Sequence, residues 1–353
     1  MASAYCRRTL NRSIAPLMPT RYQLIRCLAD GKFHSGEQLA QQLGLSRAAV
    51  WKQIKGLREQ WGMEIHAVTG RGYRLARPLE LLQQERILAL LSPETRASLS
   101  GLEIHDSIGS TSQQLMQQAA AGAPSGQVCL AERQTAGRGR RGRKWISPYG
   151  SNIYLSLLWQ FPLAPIELSG VSLAAGLAVM RALNRLGVTE VGLKWPNDIL
   201  WQERKLAGLL LEMTGESEGP SQVILGVGLN TCLSNRQGSR IDQPWVDLAN
   251  VPGGQQIGRN QLAAELIHQL VNALECFERE RLAPLLDEWQ QQDLYYNKTV
   301  ALRMGNQTIV GKHVGIDKNG ALLLSQAGEE KAYFAGEVSL RPDQGDGHAN
   351  TID

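Results

Sequence analysis

The chain has 353 residues, 43% of them hydrophobic and 20% charged, with a formal net charge of +4. This is an ordinary balance for a soluble globular protein, and the length accommodates two or three domains. No apolar run reaches the roughly 18 residues that span a bilayer, since the longest, from Val171, meets Arg181. The five cysteines (Cys6, Cys27, Cys129, Cys232, Cys276) are widely spaced, with no C-x-x-C pair and no H-E-x-x-H. That argues against a disulfide framework or a zinc site, leaves any metal ligands unknown, and suits a reducing cytoplasm.

Charge is uneven along the chain. Residues 1–80 hold 13 Lys and Arg against 5 Asp and Glu, and the remainder holds 24 against 28. A basic N-terminal segment on a mildly acidic body points to nucleic-acid contact at one end. Residues 1–18 carry Arg7, Arg8 and Arg12, no acid and no hydrophobic periodicity. They read as a disordered tail, a transit-like peptide, or the product of an upstream start codon with Met18 the true initiator. Thr20 to Ala29 follows as a helix with Leu24, Ile25 and Leu28 on one face. Ser35 caps a short helix that stops at Gly44, where glycine permits positive φ. Ser46 caps a third helix, with Val50, Ile54 and Leu57 turned inward and Arg47, Lys52 and Lys55 free. Val68 to Leu75 reads as a hairpin wing carrying Arg71 and Arg74. Together these form a winged helix-turn-helix, with a cationic helix for the major groove and a wing for phosphates. The DNA-contact candidates are Ser46, Arg47, Lys52, Lys55, Arg71 and Arg74; the alternative is a small helical domain that binds protein.

Leu79 to Leu91 reads as a connecting helix. Ser110 or Thr111 caps a helix to about Ala121, and Gln127 to Arg133 is strand-like. Next comes Gly137-Arg138-Gly139-Arg140-Arg141-Gly142-Arg143-Lys144. Glycine lets backbone approach a ligand closely, and arginine presents a donor fork that fits phosphate oxygens. The run matches G-x-G-x-x-G, but no helix follows to hold a pyrophosphate, so the context argues against a dinucleotide site; a solvated basic loop is the other reading. Asn152 to Trp159 is a strand and Ile166 to Leu186 a long helix. Val191 to Trp195 is a strand closed by Pro196-Asn197-Asp198, then Ile199–Trp201 and Leu206–Met213 form a hairpin, and Val223 to Leu229 is a further strand. Residues 232–258 are irregular, Asn260 to Arg279 and Leu282 to Gln292 are helices, and short strands between glycines from Lys298 to Leu340 have the spacing of a small barrel. From Asp343 the chain reads as a polar, disordered tail.

Five motifs occur in order within this region. They are Ser110-Thr111-Ser112; Gln134-Thr135-Ala136 leading into the Gly/Arg loop and Lys144-Trp145; Lys194-Trp195-Pro196-Asn197-Asp198; Lys205-Leu206-Ala207-Gly208; and Gly226-Val227-Gly228-Leu229-Asn230. This combination resembles the biotin–protein ligases, and with the N-terminal helix-turn-helix the chain from about Pro19 to Arg341 is similar to the bifunctional biotin–[acetyl-CoA-carboxylase] ligases that also repress the biotin operon. The resemblance implies an α+β chain. Residues 19–82 would be the winged helix-turn-helix, 83–295 a mixed α/β ligase domain of the class II synthetase-like type, and 296–342 an SH3-like β-barrel, with tails at 1–18 and 343–353.

The implied substrates are biotin and ATP with Mg2+, and the implied partners are the biotin carboxyl carrier protein, operator DNA and, with adenylate bound, a second copy of the chain; no membrane is involved. By the same resemblance Lys194, Arg138 and Arg140 are catalytic. Biotin would be held by Ser110, Thr111, Ser112, Gln134, Arg138, Gly139, Arg140, Lys194, Gly208 and Gly228, and ATP by Arg140, Arg143, Lys194 and Trp245. Arg141 and Arg143 would be solvated or would steer phosphates rather than make the strongest ligand contacts. The nucleotide loop is expected to be mobile before ligand binds and ordered after. The family commonly has asparagine where this chain has Ser112, and Ile108-Gly109 reads as an insertion, which puts the third contact of that motif in doubt. Physically, two anions must meet, so cations must converge, while the ureido ring needs fixed donors and acceptors in an apolar pocket. Each residue has a plainer role open to it: helix capping for Ser110 and Thr111, solvent contact for Lys194, packing on the body for Trp245. Three further readings stay open, namely a sensor-repressor without catalysis, a related lipoate ligase or octanoyltransferase, and a ligase whose helix-turn-helix no longer binds DNA.

Overall fold

The computed structural model describes residues 20–215, 218–304, 307–334 and 338–342. The expected tails at 1–18 and from 343 lie outside the described residues. The chain divides into two units, residues 1–79 and 80–353.

The first unit contains α1 (Thr20–Leu28), α2 (Gly36–Leu43) and α3 (Arg47–Gln60), then the hairpin β1 (Ile65–Val68) and β2 (Gly72–Leu75). Local chemistry sets its boundaries. Ser35 and Gln38 form a reciprocal capping box, Gly44 closes α2 at φ 66°, and the Ser46 hydroxyl accepts from Ala49 N at 3.2 Å. Leu24, Ile25, Leu28, Leu39, Val50, Ile54 and Leu57 are buried together, the stripe read from sequence. Arg47, Lys52 and Lys55 stand exposed along α3. Trp51 stands beside them at 56% exposed, with the Lys55 ammonium 5.5 Å from its ring. The wing arginines are differently placed: the guanidinium carbons of Arg71 and Arg74 lie 4.2 and 4.9 Å from the Phe33 ring centroid.

The second unit begins with α4 (Gln84–Leu90) and α5 (Pro93–Ala97), followed by β3 (Gly101–His105), α6 (Thr111–Ala120), β4 (Gln127–Ala131), β5 (Asn152–Phe161) and α7 (Val171–Arg185). Next come β6 (Gly192–Lys194), β7 (Asp198–Trp201), β8 (Arg204–Gly215), β9 (Ser221–Asn230), α8 (Asn235–Gly238), α9 (Arg259–Glu280) and α10 (Leu286–Gln292). The final strands are β10 (Thr299–Met304), β11 (Gln307–Ile316), β12 (Leu322–Gln326), β13 (Glu329–Tyr333) and β14 (Val338–Pro342). Seven strands form one sheet in the order β3-β4-β5-β9-β8-β7-β6, parallel between β3 and β4 and antiparallel elsewhere.

The strict alternation of strand side chains divides this sheet. Leu102, Val128, Leu130, Ile153, Leu155, Leu157, Val223, Leu225, Val227 and Leu209 face the main core, with the buried residues of α7 and α9. The alternate residues point the other way, where α6 covers Cys129, Leu158 and Ile224 with Leu115 and Ala119. The remainder of that second face is the floor of the site.

Three expectations are corrected. Helix α4 starts at Gln84, not Leu79, because tertiary partners take the backbone before it: Leu82 N donates to Glu132 Oε1 at 2.6 Å and Gln83 N to Asn260 Oδ1 at 2.7 Å. Glu80 belongs with this unit too, accepting from Asn260 Nδ2 at 2.8 Å. Helix α7 starts at Val171 because Gly170 sits at φ 93°, outside the helical region. The stretch Pro165–Arg185 is long and apolar enough on average (mean hydropathy 1.5) to cross a membrane despite Arg181, yet eleven residues of α7 are buried in the protein core. Strand β3 and helix α5 were not expected at all.

The last five strands form an antiparallel sheet in the order β13-β12-β11-β10-β14, the small β structure read from the glycine spacing. It packs against the seven-stranded part of the unit: Trp195 Nε1 donates to Gly320 O at 3.0 Å, and the buried Asp293 carboxylate contacts the His313 imidazole.

Candidate functional site

Strand register assembles the site. Lys194 pairs with Asp198, Asp198 with Gly208, and Gly208 with Gly228. Directly paired residues share a face, so one row across β6, β7, β8 and β9 runs from a lysine to two glycines. The neighbouring row carries Leu210, Gly226 and Ser156. A cavity of about 400 Å3 lies over both rows, bounded by residues 138–146 on one side and 240–245 on another. Ser110, Thr111, Ser112, Gln134, Arg138, Gly139, Arg140, Arg143, Lys194, Gly208, Gly228 and Trp245 all line it. The structure thus brings together every biotin and ATP candidate that the sequence offered.

One end of the cavity is uncharged and tightly bonded. Ser110 caps α6, accepting from Gln113 N at 3.5 Å. Thr111 donates to Gln134 Oε1 from its backbone N (2.9 Å) and its hydroxyl (3.1 Å), and Gln134 Nε2 donates to Ser147 Oγ at 3.2 Å. Ser156 Oγ lies 2.8 Å from Thr111 Oγ1 and 3.0 Å from Ser112 Oγ. Ser110, Thr111, Ser112 and Ser156 are all buried. Ser112 therefore bonds across to β5. A Cβ at Gly226 would lie 2.8 Å from Ser112 Oγ, so the glycine leaves room for the serine. Ile108-Gly109 pairs with the segment after β4: Ile108 N donates to Arg133 O at 3.1 Å and Ala136 N to Gly109 O at 2.8 Å.

The other end is cationic. The Gly/Arg run folds back on itself, with Gly139 N donating to Arg143 O at 2.7 Å and Trp145 N to Gly137 O at 3.0 Å. Arg141 and Gly142 make the turn at φ 57° and 70°. Arg138 Nη2 donates to Glu212 Oε2 at 2.8 Å, and Arg140 Nη1 to Asn197 Oδ1 at 3.3 Å. Burial, reinforced by the neighbouring Arg141 charge, holds the Arg140 guanidinium below its usual pKa, though a guanidinium stays charged at neutral pH. Arg143 is exposed and Lys194 half-buried.

Between the two ends lies an indole. A Cβ on Gly228 would come within 2.4 Å of Trp145 Cε2, and one on Gly208 within 2.8 Å of Lys205 Cε and 3.3 Å of Trp145 Cζ3. At both glycines the missing Cβ makes room for protein side chains, those of Trp145 and Lys205. Lys205 Nζ is 2.7 Å from Asp198 Oδ1 and 5.5 Å from the Trp145 ring centroid, while Trp145 Nε1 is buried without a hydrogen-bond partner. Trp245 both lines the cavity and packs on the body, since a Cβ at Gly238 would collide with its ring. Asn230 ties strands together, donating to Val246 O at 3.1 Å and accepting from Asn152 at 3.2 Å.

Ser156, Trp145, Asp198 and Lys205 were not among the residues expected at the site. Ser156 left one signal: a lone serine in the otherwise apolar run Ile153 to Trp159 must find a buried partner. The others lie inside the quoted motifs, but only register reveals that they face the cavity.

A helix-turn-helix unit joined to an α/β unit whose cavity has a hydroxyl-lined end and a cationic end defines a class: a catalytic or ligand-sensing domain coupled to a nucleic-acid-binding head. Comparison with known proteins narrows it. Residues 105–230 match the Biotin/lipoate A/B protein ligase family, residues 20–74 an HTH domain, and residues 295–341 the Biotin protein ligase C terminal domain. The bifunctional ligase/repressor BirA of Escherichia coli is 44% identical over 319 residues, covering 90% of this chain and 96% of that protein. BirA of Bacillus subtilis is 32% identical, covering 88% and 95%. The solved biotin protein ligase of Aquifex aeolicus, in complex with biotin and ATP, superposes with a TM-score of 0.59 at 28% identity, over 69% of this chain and 100% of that one. The chain belongs to the biotin protein ligase family.

Proposed function

We propose that this chain activates biotin with ATP and transfers it to a lysine of a biotin carboxyl carrier protein, and that with the adenylate bound it dimerises and represses biotin synthesis genes. The observation that carries the reading is the row Lys194–Asp198–Gly208–Gly228 beneath one cavity, with hydroxyls at one end and guanidiniums at the other. In the first step a biotin carboxylate oxygen attacks the α-phosphorus of ATP. The bond to the β-phosphate oxygen breaks, giving biotinyl-5′-AMP and pyrophosphate. In the second step the carrier amine attacks the acyl carbon, AMP leaves, and the amine proton passes to solvent.

The Thr111, Ser112, Gln134 and Ser156 network suits the donors and acceptors of a ureido ring, because its members are already oriented. Lys194 supplies a compact charge where the carboxylate meets the phosphate. Arg138, Arg140 and Arg143 carry the phosphates, with Arg141 at the rim. Closure of their loop over the adenylate excludes water, and its ordering favours dimerisation where it lines the interface. Gly139 lets the backbone approach, and Trp245 is placed to cover the adenine. Mg2+ neutralises the triphosphate when bound, and among the cavity-lining residues Asp198 and Asp242 are the carboxylates that suit it. We assign the reaction to the cytoplasm, a reducing compartment that suits five widely spaced cysteines.

In the repressor half, Ser46, Arg47, Lys52 and Lys55 enter the major groove, with two copies meeting two half-sites. Arg71 and Arg74 meet phosphates from the wing, held by Phe33. The test of the enzyme is incubation with ATP, Mg2+, biotin and a carrier domain. ATP-dependent labelling that disappears in Lys194→Ala supports the reading. Biotin binding without labelling would instead favour a sensor-repressor.

A further inference from the structure

Beyond the cavity, the same face of the sheet holds a second set of ligating side chains that the reaction does not use. Glu103 pairs with Cys129, and Cys129 with Ser156. His105 follows Glu103 by two residues on β3 and so shares its side. The Glu103 carboxylate, the His105 imidazole and Cys129 Sγ all lie within 4.8 Å of one another. Gln118 reaches the same spot from α6, its Nε2 donating to Glu103 Oε1 at 3.0 Å. Two atoms here are buried and make no hydrogen bond, His105 Nε2 and Gln118 Oε1. The imidazole nitrogen is 3.3 Å from Glu103 Oε1 but out of line for a hydrogen bond. Buried polar atoms are rarely left this way, because each costs its desolvation.

We propose that Glu103, His105 and Cys129 bind one thiophilic divalent cation of the zinc class, with the Gln118 carbonyl oxygen or a water completing a four-coordinate shell. One sulfur, one imidazole nitrogen and carboxylate oxygen form the borderline-soft set that zinc takes. Arms of about 2.0–2.3 Å place tetrahedral ligand atoms roughly 3.5 Å apart, so side-chain adjustments of about 1 Å close the set. Cys129 is fully buried, whereas the Glu103 and His105 side chains are 27% and 32% exposed, which leaves an approach from solvent on one side.

Burial, reinforced by the Glu103 charge, pushes the Cys129 thiol far above its ordinary pKa and keeps it protonated. Binding through Cys129 Sγ would exchange the thiol proton for the cation, with the proton passing to solvent. The sequence hides this site, because α6 separates Cys129 from Glu103-x-His105 and only the parallel pairing of β3 and β4 joins them. Bound metal ties β3 and β4 beneath α6, whose first turn carries Thr111 and Ser112.

The test strips the full-length protein with chelator, titrates Co2+ as the spectroscopic surrogate, and then displaces it with Zn2+. One equivalent with a thiolate-to-cobalt charge-transfer band and intense four-coordinate d–d bands is expected. The band is lost in Cys129→Ser. His105→Leu and Glu103→Gln change partly exposed residues and preserve the fold; they weaken binding by at least the roughly 10–100-fold that outer-shell changes cost. Cys232→Ser leaves binding unchanged. The proposal is overturned if the wild type gives no sulfur band, if the band survives Cys129→Ser, or if His105→Leu and Glu103→Gln bind Co2+ as tightly as wild type.

Discussion

The two ends of the cavity are built in opposite ways. At the hydroxyl end, Thr111, Ser112 and Ser156 are buried on a helix and a strand and bonded to one another. At the cationic end, Arg138 and Arg140 sit on a turn and donate to Glu212 and Asn197, both half-buried. The first end is preorganised, so its geometry is fixed before ligand arrives. The second is held by one single-point ion pair and one amide bond, which the several oxygens of a polyphosphate can outcompete. Recognition of an uncharged ring and handling of a polyanion are thereby separated within one site.

The largest effect that sharpens this contrast is expected from Lys194→Ala. Adenylate formation should fall by about 10²–10³-fold or more, the cost of removing one electrostatic stabiliser, read as single-turnover pyrophosphate release. Next, Arg140→Gly should let the adenylate escape, measured as increased labelling of a non-substrate amine in trapping assays; unchanged release would contradict a retaining role for the loop. Gly228→Ala drives a Cβ into the Trp145 ring and should weaken biotin binding by about 1–3 kcal/mol, the usual cost of overpacking, seen by calorimetry.

Smaller still is Ser156→Ala, which removes the oxygen lying within hydrogen-bond reach of both Thr111 and Ser112. A loss of about 1–1.5 kcal/mol, or roughly tenfold in biotin affinity, should appear with little change in ATP affinity. Smallest is Glu212→Gln, which loosens a partly exposed ion pair worth about 0–1 kcal/mol. It should change the apparent KM for ATP by less than about threefold, and the difference should shrink at high salt.

The same contrast explains what the sequence revealed. The helix-turn-helix was legible because its signals are local: caps at Ser35 and Ser46, a stop at Gly44, and an apolar stripe at helical spacing. The cationic end was legible because arginines and glycines cluster in one run. The hydroxyl end was legible only through motif resemblance at Ser110, Thr111, Ser112 and Gln134. Its organiser, Ser156, arrives by register from a strand that carries no chemical pattern. Strand β3 escaped because Gly101 to His105 is too short to show a period, and residues 80–83 escaped because Glu132, Asn260 and Arg259 claim them from far along the chain. Long-range pairing is the part that local propensity does not encode.

The most direct test of a cavity divided in function is single-turnover pyrophosphate release from Ser156→Ala and Lys194→Ala as biotin is raised to saturation. The account predicts that saturating biotin restores Ser156→Ala to near the wild-type rate and leaves Lys194→Ala slow. Rescue of Lys194→Ala by biotin, or a Ser156→Ala rate that biotin cannot restore, would contradict it.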